Sequence, residues 1–237
     1  MPRIYAGTSG WAYSTWKPKF YPANVSSARF LEHYSSRLNS VEVNYTFRHL
    51  PDKHLLAKWI AATPEDFRFA VKAHQMITHR KRLIGAGEFT REFLSSLSPL
   101  HKARKLGPVL FQLPPNFKCN VQVLQDFLAR LPRDFLFAFE FRHESWFTEE
   151  VFRVLRKKHV ALCQAESENL QTPDVRTTDF SYLRLRKMKY STNARRALGR
   201  KVRALRRSGD VYVYFKHEDD PSGALYAEEL LITMQNS

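Results

Sequence analysis

Eight short β-prone apolar runs recur along the 237-residue chain, and nearly every one is followed by a segment whose apolar residues have helical spacing. This alternation constrains the fold more than any other feature, because strand, helix, strand order is the signature of parallel α/β architectures. The runs cover residues 4–8, 40–45, 67–73, 108–113, a stretch from Phe135 into FEFRHESW, 160–164, 182–185 and 211–215. Among the intervening segments, 27–38 places Phe30, Leu31, Tyr34 and Leu38 on one helical face. Asp52 is positioned to cap a helix carrying Leu55, Leu56, Trp59 and Ile60, and Thr148 to cap one carrying Val151, Phe152 and Leu155. Further helical stripes contain Phe93, Leu94 and Leu97; Val123, Leu124, Phe127, Leu128 and Leu131; and Ala197, Leu198, Val202 and Leu205, with a closing helix over 224–234. About sixteen residues join the sixth run to the seventh, barely the dozen or so that a crossover needs. The order predicts one α/β domain over residues 1–237, a single-domain (β/α)8 TIM-barrel-like fold. An open doubly wound sheet is the alternative, but no GxGxxG follows any run.

No segment reaches the roughly 18 consecutive apolar residues of a membrane helix, and the first residues lack a secretory apolar stretch. The expectation is a soluble cytoplasmic protein with no membrane partner. Cys119 and Cys163 are far apart and form no CxxC, so neither a disulfide framework nor a cysteine zinc site is indicated. The formal net charge is +15, and residues 184–207 contain eleven Lys or Arg with no Asp or Glu. This window therefore carries +11 and the remainder only +4. Charge so concentrated favours an anionic partner, either a small molecule or nucleic acid.

In a barrel of parallel strands all C-terminal strand ends meet at one mouth. The residues they bring include Trp11, Glu42, Asn44, Lys72, His74, Gln112, Glu140, Arg142, His143, Trp146, Gln164, Glu166, Arg184, Arg186, Lys216, His217, Glu218 and Asp219. Glu42 and Glu140 stand within or at the edge of apolar runs, where an ionised carboxylate needs a partner. They read either as general acid/base groups or as members of an ion pair with Lys72, Arg142 or Arg184. No HExxH or HxH spacing supports a metal site, so no metal or other cofactor is assigned, and His74, His143 and His217 read as hydrogen-bonding or acid/base groups. Gly7, Thr8, Ser9 and Gly10 form a turn able to present backbone N–H groups to an anion, and Trp11 follows as a stacking surface. Arg184 and Arg186 alternate with Leu183 and Leu185 and so point to one face of a strand, into the barrel. Residues 195–207 read instead as the solvated face of a helix.

The blocks GTSGWAYSTW, FYP, NSVEVNYTFRHLP, FRFAVKAHQMITH, GPVLFQLPPNF, FEFRHESW and DVYVYFKHED, in this order, resemble the YecE-like family, domain of unknown function 72. The resemblance implies a TIM-barrel-like fold and a pocket lined by the block residues, and it brings no established reaction. Two blocks depart from the commoner pattern: Arg184-Leu185-Arg186-Lys187 stands where many members resemble RLHG, and Phe215 to Asp219 where many resemble FNND. Both departures add charge at the mouth. The sequence thus points to an enzyme acting on an anionic, phosphate-bearing substrate, with hydrolase or phosphodiesterase chemistry preferred. Glu140, Glu42, His143 and His74 are its candidate catalytic groups. Trp11, Asn44, Lys72, Gln112, Arg142, Trp146, Arg184, Arg186 and Lys216 are the candidate ligand-binding residues. The alternative is a non-catalytic nucleic-acid-binding protein using the basic segment 184–207.

Overall fold

In the computed structural model, residues 2–166, 170–216 and 220–235 are described. Strands β1 (Ile4–Thr8), β2 (Ser40–Val43), β3 (Arg68–Lys72), β4 (Leu106–Gln112), β5 (Phe137–Glu140), β6 (Val160–Ala165), β7 (Ser181–Leu185) and β8 (Val211–Phe215) run in the order β1-β8-β7-β6-β5-β4-β3-β2. Every ladder in this row is parallel. The expected TIM-barrel-like α/β fold is therefore present.

Helices α1 (Phe30–Arg37), α2 (Lys53–Ala61), α3 (Gly87–Ser96), α4 (Ser98–Lys102), α5 (Val121–Ala129), α6 (Glu149–Lys157), α7 (Thr192–Arg206) and α8 (Ser222–Gln235) surround the strands. Asp52 accepts from the Leu55 backbone N–H and Thr148 from that of Val151, satisfying helix donors that would otherwise lack partners. The β6–β7 connection is the irregular unit, with no helix among its described residues. There, Thr177 Oγ1 donates to the Val160 carbonyl and accepts from the Leu162 N–H, tying the returning chain to β6. Side-chain bonds thus anchor the short crossover that a helix anchors elsewhere. His217, Glu218 and Asp219, expected just after β8, lie outside the described residues.

Strand alternation separates two cores. Val41, Val43, Phe137, Phe139, Leu183 and Leu185 face outward and pack beneath the helices. The intervening positions fill the barrel interior, where Tyr5, Tyr182, Tyr212 and Tyr214 gather with Ala70, Leu110, Ala138 and Cys163. Tyr5 and Tyr212 stack with ring centroids 4.8 Å apart. Bulky rings on β1, β7 and β8 fit opposite small side chains on β3, β5 and β6, as close packing of a barrel requires.

The seam between β1 and β2 is closed by side chains. Asn39 accepts from the Ala6 N–H at 2.9 Å and donates to the Ile4 carbonyl at 2.8 Å, imitating a peptide unit. Tyr34 accepts from the Thr8 N–H and donates to the Ser40 carbonyl, bridging the strands in the same way. The approach leaves no room for a side chain at Gly7, where a Cβ would lie 1.8 Å from the Ser40 carbonyl oxygen. Glycine is needed here for proximity and not for turn geometry. Replacing Gly7 by Ala is expected to lower stability by about 2–3 kcal/mol, the scale of core overpacking, in urea unfolding followed by circular dichroism. Unchanged stability would contradict the close seam.

Candidate functional site

Inward positions at the carboxyl ends of the strands carry a buried charge cluster. Arg184 on β7 lies between two carboxylates: Nη2 donates to Glu42 Oε1 at 2.7 Å and Nη1 to Glu140 Oε2 at 2.5 Å. Glu42, Glu140 and Arg184 are 0%, 2% and 4% exposed. At that depth an ionised side chain persists only with near-complete pairing. The remaining acceptor positions are filled accordingly. Glu42 also accepts from the hydroxyls of Ser9 at 2.9 Å and Tyr182 at 2.7 Å. Glu140 accepts from Gln112 Nε2 at 2.8 Å and Arg186 Nη2 at 3.1 Å, with Arg142 Nε at 3.8 Å.

Burial alone would raise the Glu140 carboxyl. The Arg184 and Arg186 guanidiniums and the Gln112 amide outweigh it and hold the group down at about 2. Its two carboxylate neighbours and buried tyrosine and cysteine push Arg184 upward against its own desolvation. Burial lowers Arg186, despite Glu140. Of the partners expected for Glu42 and Glu140, the structure pairs both carboxylates with Arg184. A carboxyl held near 2 is ionised around neutrality, where Glu140 serves as an electrostatic anchor for Arg184 and Arg186.

Above this floor the mouth opens into a cavity of about 470 Å³ lined by Asn44, Tyr45, Phe47, Arg48, His49, Lys72, Gln112, Arg142, Arg184, Arg186 and Lys216. Its lining contains six Lys or Arg and no Asp or Glu. Arg48, Lys72 and Lys216 have no carboxylate within ion-pair distance among the described residues. The buried Nε of Arg186 and Oδ1 of Asn44 likewise lack hydrogen-bond partners among the described residues. Lys72 places its ammonium 4.1 Å over the Phe47 ring, and burial, followed by Arg184, lowers it to about 8. His79, 5.0 Å edge-on to the same ring, is lowered first by burial and then by Lys72 and Arg142.

A second lobe of about 330 Å³ shares Arg142 with the first and is lined also by Glu140, His143, Glu144 and Glu166. His143 Nδ1 accepts from the Ser145 N–H and meets the Ser145 hydroxyl at 2.9 Å, capping the short turn Glu144–Trp146. Glu166 receives the N–H of Arg186 and the Tyr190 hydroxyl, fixing the chain just after β7.

Nine of the expected residues thus converge: Glu42, Asn44, Lys72, Gln112, Glu140, Arg142, Arg184, Arg186 and Lys216. His143 occupies the neighbouring lobe. His74 is buried elsewhere in the wall, its Nδ1 accepting from the Met76 N–H and its ring 5.1 Å from Phe89. Trp146 is fully enclosed, stacked 4.7 Å from Phe141 with its indole N–H on the Phe117 carbonyl, so it supports the wall without lining the cavity. Trp11 packs edge-on against Trp59 at 5.3 Å and is also absent from the cavity lining.

Tyr182, Arg48 and His79 join the site without having stood out in the sequence. Tyr182 shares the strand face of Arg184, and Arg48 follows the end of β2, so both carried a positional signal. His79 depends on the π-helical turn Met76–Arg80. Among the described residues, no three His, Cys, Asp or Glu side chains gather as a metal-holding group.

The fold and site define a TIM-barrel protein with a buried Glu–Arg–Glu floor beneath a cation-lined mouth. A family model described as "Protein of unknown function DUF72" matches residues 5–237, and the chain belongs to that family. It is 36% identical over 152 residues to UPF0759 protein YunF of Bacillus subtilis, covering 61% of this chain and 52% of the relative. It is 33% identical over 147 residues to UPF0759 protein YecE of Escherichia coli K12, covering 62% and 51%. These matches span about half the length of the curated relatives. A crystal structure of a DUF72 family protein from Thermotoga maritima superimposes with a TM-score of 0.87 at 27% identity, covering 98% of this chain and 99% of that one. D-psicose 3-epimerase from Clostridium cellulolyticum, at 9% identity and a TM-score of 0.54 over 100% of this chain and 99% of that one, shares the fold alone.

The cluster has a pH signature. Because the folded carboxyl of Glu140 lies below its ordinary value of 4.5, its stabilisation is fully present above that value. It is lost as pH falls through the folded value near 2. Glu140→Gln is expected to cost about 3–5 kcal/mol at pH 7, as for a broken buried pair, and to flatten the decline in stability between pH 5 and 2. Urea unfolding of both proteins across that range checks this. A parallel decline would contradict the assignment.

Proposed function

We propose that this protein is an enzyme that binds an anionic, phosphate-bearing small molecule in the barrel mouth and acts on it there. The observation carrying the reading is the cavity of about 470 Å³ whose lining has six basic side chains and no carboxylate. That volume suits a metabolite-sized ligand, within the roughly 300–1,000 Å³ of small-molecule pockets. Glu42 and Glu140 orient Arg184 and Arg186 from below, leaving the excess positive charge of Arg48, Lys72 and Lys216 directed toward a ligand. Guanidiniums suit phosphate oxygens because their planar N–H fork matches them bidentately.

Arg186→Ala is expected to weaken binding of inorganic pyrophosphate by about tenfold or more, since a charged hydrogen bond is worth about 1.5–3 kcal/mol. Isothermal titration calorimetry reads this directly. Arg196→Ala, on α7 outside the barrel, is expected to leave the affinity unchanged. Equal effects of the two substitutions would contradict the mouth as the anion site.

A second reading rests on α7. Its residues include Arg195, Arg196, Arg200, Lys201, Arg203 and Arg206 with no acid, while Arg184 and Arg186 point into the barrel. The basic segment is thus divided between mouth and outer surface, and the outer part suits a polyanion such as RNA or DNA. Charge reversal at Arg195, Arg196, Arg200 and Lys201 would weaken nucleic-acid binding and make its salt dependence shallower. Binding unaffected by that variant, compared with the native chain at two salt concentrations, would remove this reading.

A further inference from the structure

We propose that Lys72 is a catalytic amine that forms an imine with a phosphorylated aldehyde or ketone seated in the mouth. This rests on the anion-binding reading above and adds the substrate's reactive group. Lys72 ends β3 at an inward position and lines the mouth cavity. Its ammonium lies over the Phe47 ring, with no hydrogen-bond acceptor or carboxylate ion pair among the described residues. The carboxylates acting on it, Glu42 from β2 and Glu140 from β5, are already bonded to Arg184.

The contrast with Lys105 is informative. That lysine is also lowered by desolvation, but its Nζ donates to the Ile60 carbonyl at 2.9 Å, the Thr63 carbonyl at 2.6 Å and the Thr63 hydroxyl at 2.9 Å. Lys105 is a structural tether with every donor used. Lys72 is held in place with its donors unassigned, inside a cavity with room for a ligand.

The groups acting on Lys72 favour the neutral amine. Burial comes first, followed by Arg184 from β7, with Arg186 from the same strand adding to it; Glu42 and Glu140 oppose them. His79, from the turn after β3, is coupled to Lys72, and Arg48, Arg142 and Lys216 complete the cationic lining. A desolvated lysine beside another cation is the usual setting of an amine nucleophile. The same guanidiniums that hold a phosphate therefore also activate the amine, which accounts for both features with one arrangement.

In the step, the lone pair of neutral Nζ forms a bond to the carbonyl carbon. The carbonyl oxygen departs as water carrying the two amine hydrogens, and one proton from solvent leaves the product as a protonated imine. No oxidant or reductant is required. The protonated imine then withdraws electrons from the neighbouring carbon, the basis of proton transfer or carbon–carbon cleavage next to a carbonyl.

The test is reductive trapping of the full chain. Glycolaldehyde phosphate is added, the imine is reduced with borohydride, and modified lysines are located by peptide mass spectrometry. Lys72 is expected to be labelled at least about tenfold faster than any other lysine near pH 7.5, where surface amines are almost wholly protonated. Its labelling rate should rise with a midpoint near 8. Inorganic pyrophosphate should suppress labelling, and unphosphorylated glycolaldehyde should label Lys72 more slowly than its phosphate ester does. Lys72→Arg should bind pyrophosphate and lose the selective label. Label spread evenly over surface lysines while pyrophosphate still binds would overturn the imine proposal alone. Absence of pyrophosphate binding by the native chain would overturn the anion-binding reading and this proposal together.

Discussion

The paired ionic contact of Arg184 with Glu42 and Glu140 is the interaction on which the site depends. It connects β7 with β2 on one side and β5 on the other, joining three strands through a single guanidinium. A lone buried charge would carry a desolvation cost of several kcal/mol, whereas here both terminal nitrogens of Arg184 meet a carboxylate and its Nε alone lacks a partner among the described residues. Ser9, Tyr182 and Gln112 supply the remaining hydrogen bonds, so residues from β4 and the end of β1 become part of the same floor. The bonding fixes side-chain directions and local charge together.

The cationic character of the mouth follows from that arrangement. Both carboxylates point inward and are engaged with Arg184, while Arg48, Lys72 and Lys216 are added without matching acids among the described residues and Arg142 stands 3.8 Å from Glu140. Low exposure strengthens the field of each charge relative to water. It also explains why Lys72 loses proton affinity even though two carboxylates contribute in the opposite direction. The side-chain seam at Asn39, Tyr34 and Gly7 is the structural counterpart: it brings β1 close enough to β2 for Ser9 to reach Glu42.

Much of this was legible in local sequence. Alternation of Arg184 and Arg186 with Leu183 and Leu185 already placed both guanidiniums inside the barrel, and Glu140 within FEFRHESW stood out as a charge ending an apolar run. Local pattern could not decide what the carboxylates did, because the partner of Glu42 lies 142 residues away. Tyr182 had the right periodicity but looks like any core aromatic. The enclosure of Trp146 was hidden for a related reason: its charged neighbours suggest a site, whereas the acceptor that holds its indole comes from the separate loop at Phe117. Gly7 was read as a turn former because the approach of Ser40 is a tertiary contact. The regular strand and helix pattern emerged clearly, while the β6–β7 crossover depended on side-chain bonds that have no periodicity.

The most direct measurement of the central claim is anomalous diffraction from crystals soaked in tungstate, a heavy tetrahedral oxyanion. The strongest peak is expected within the mouth, with tungstate oxygens on Arg186 and on neighbouring cations among Arg48, Lys72 and Lys216. Soaking with excess phosphate should diminish that peak. Tungstate bound along α7 with an empty, solvent-accessible mouth would contradict the claim that the Glu–Arg–Glu floor supports an anion-binding site.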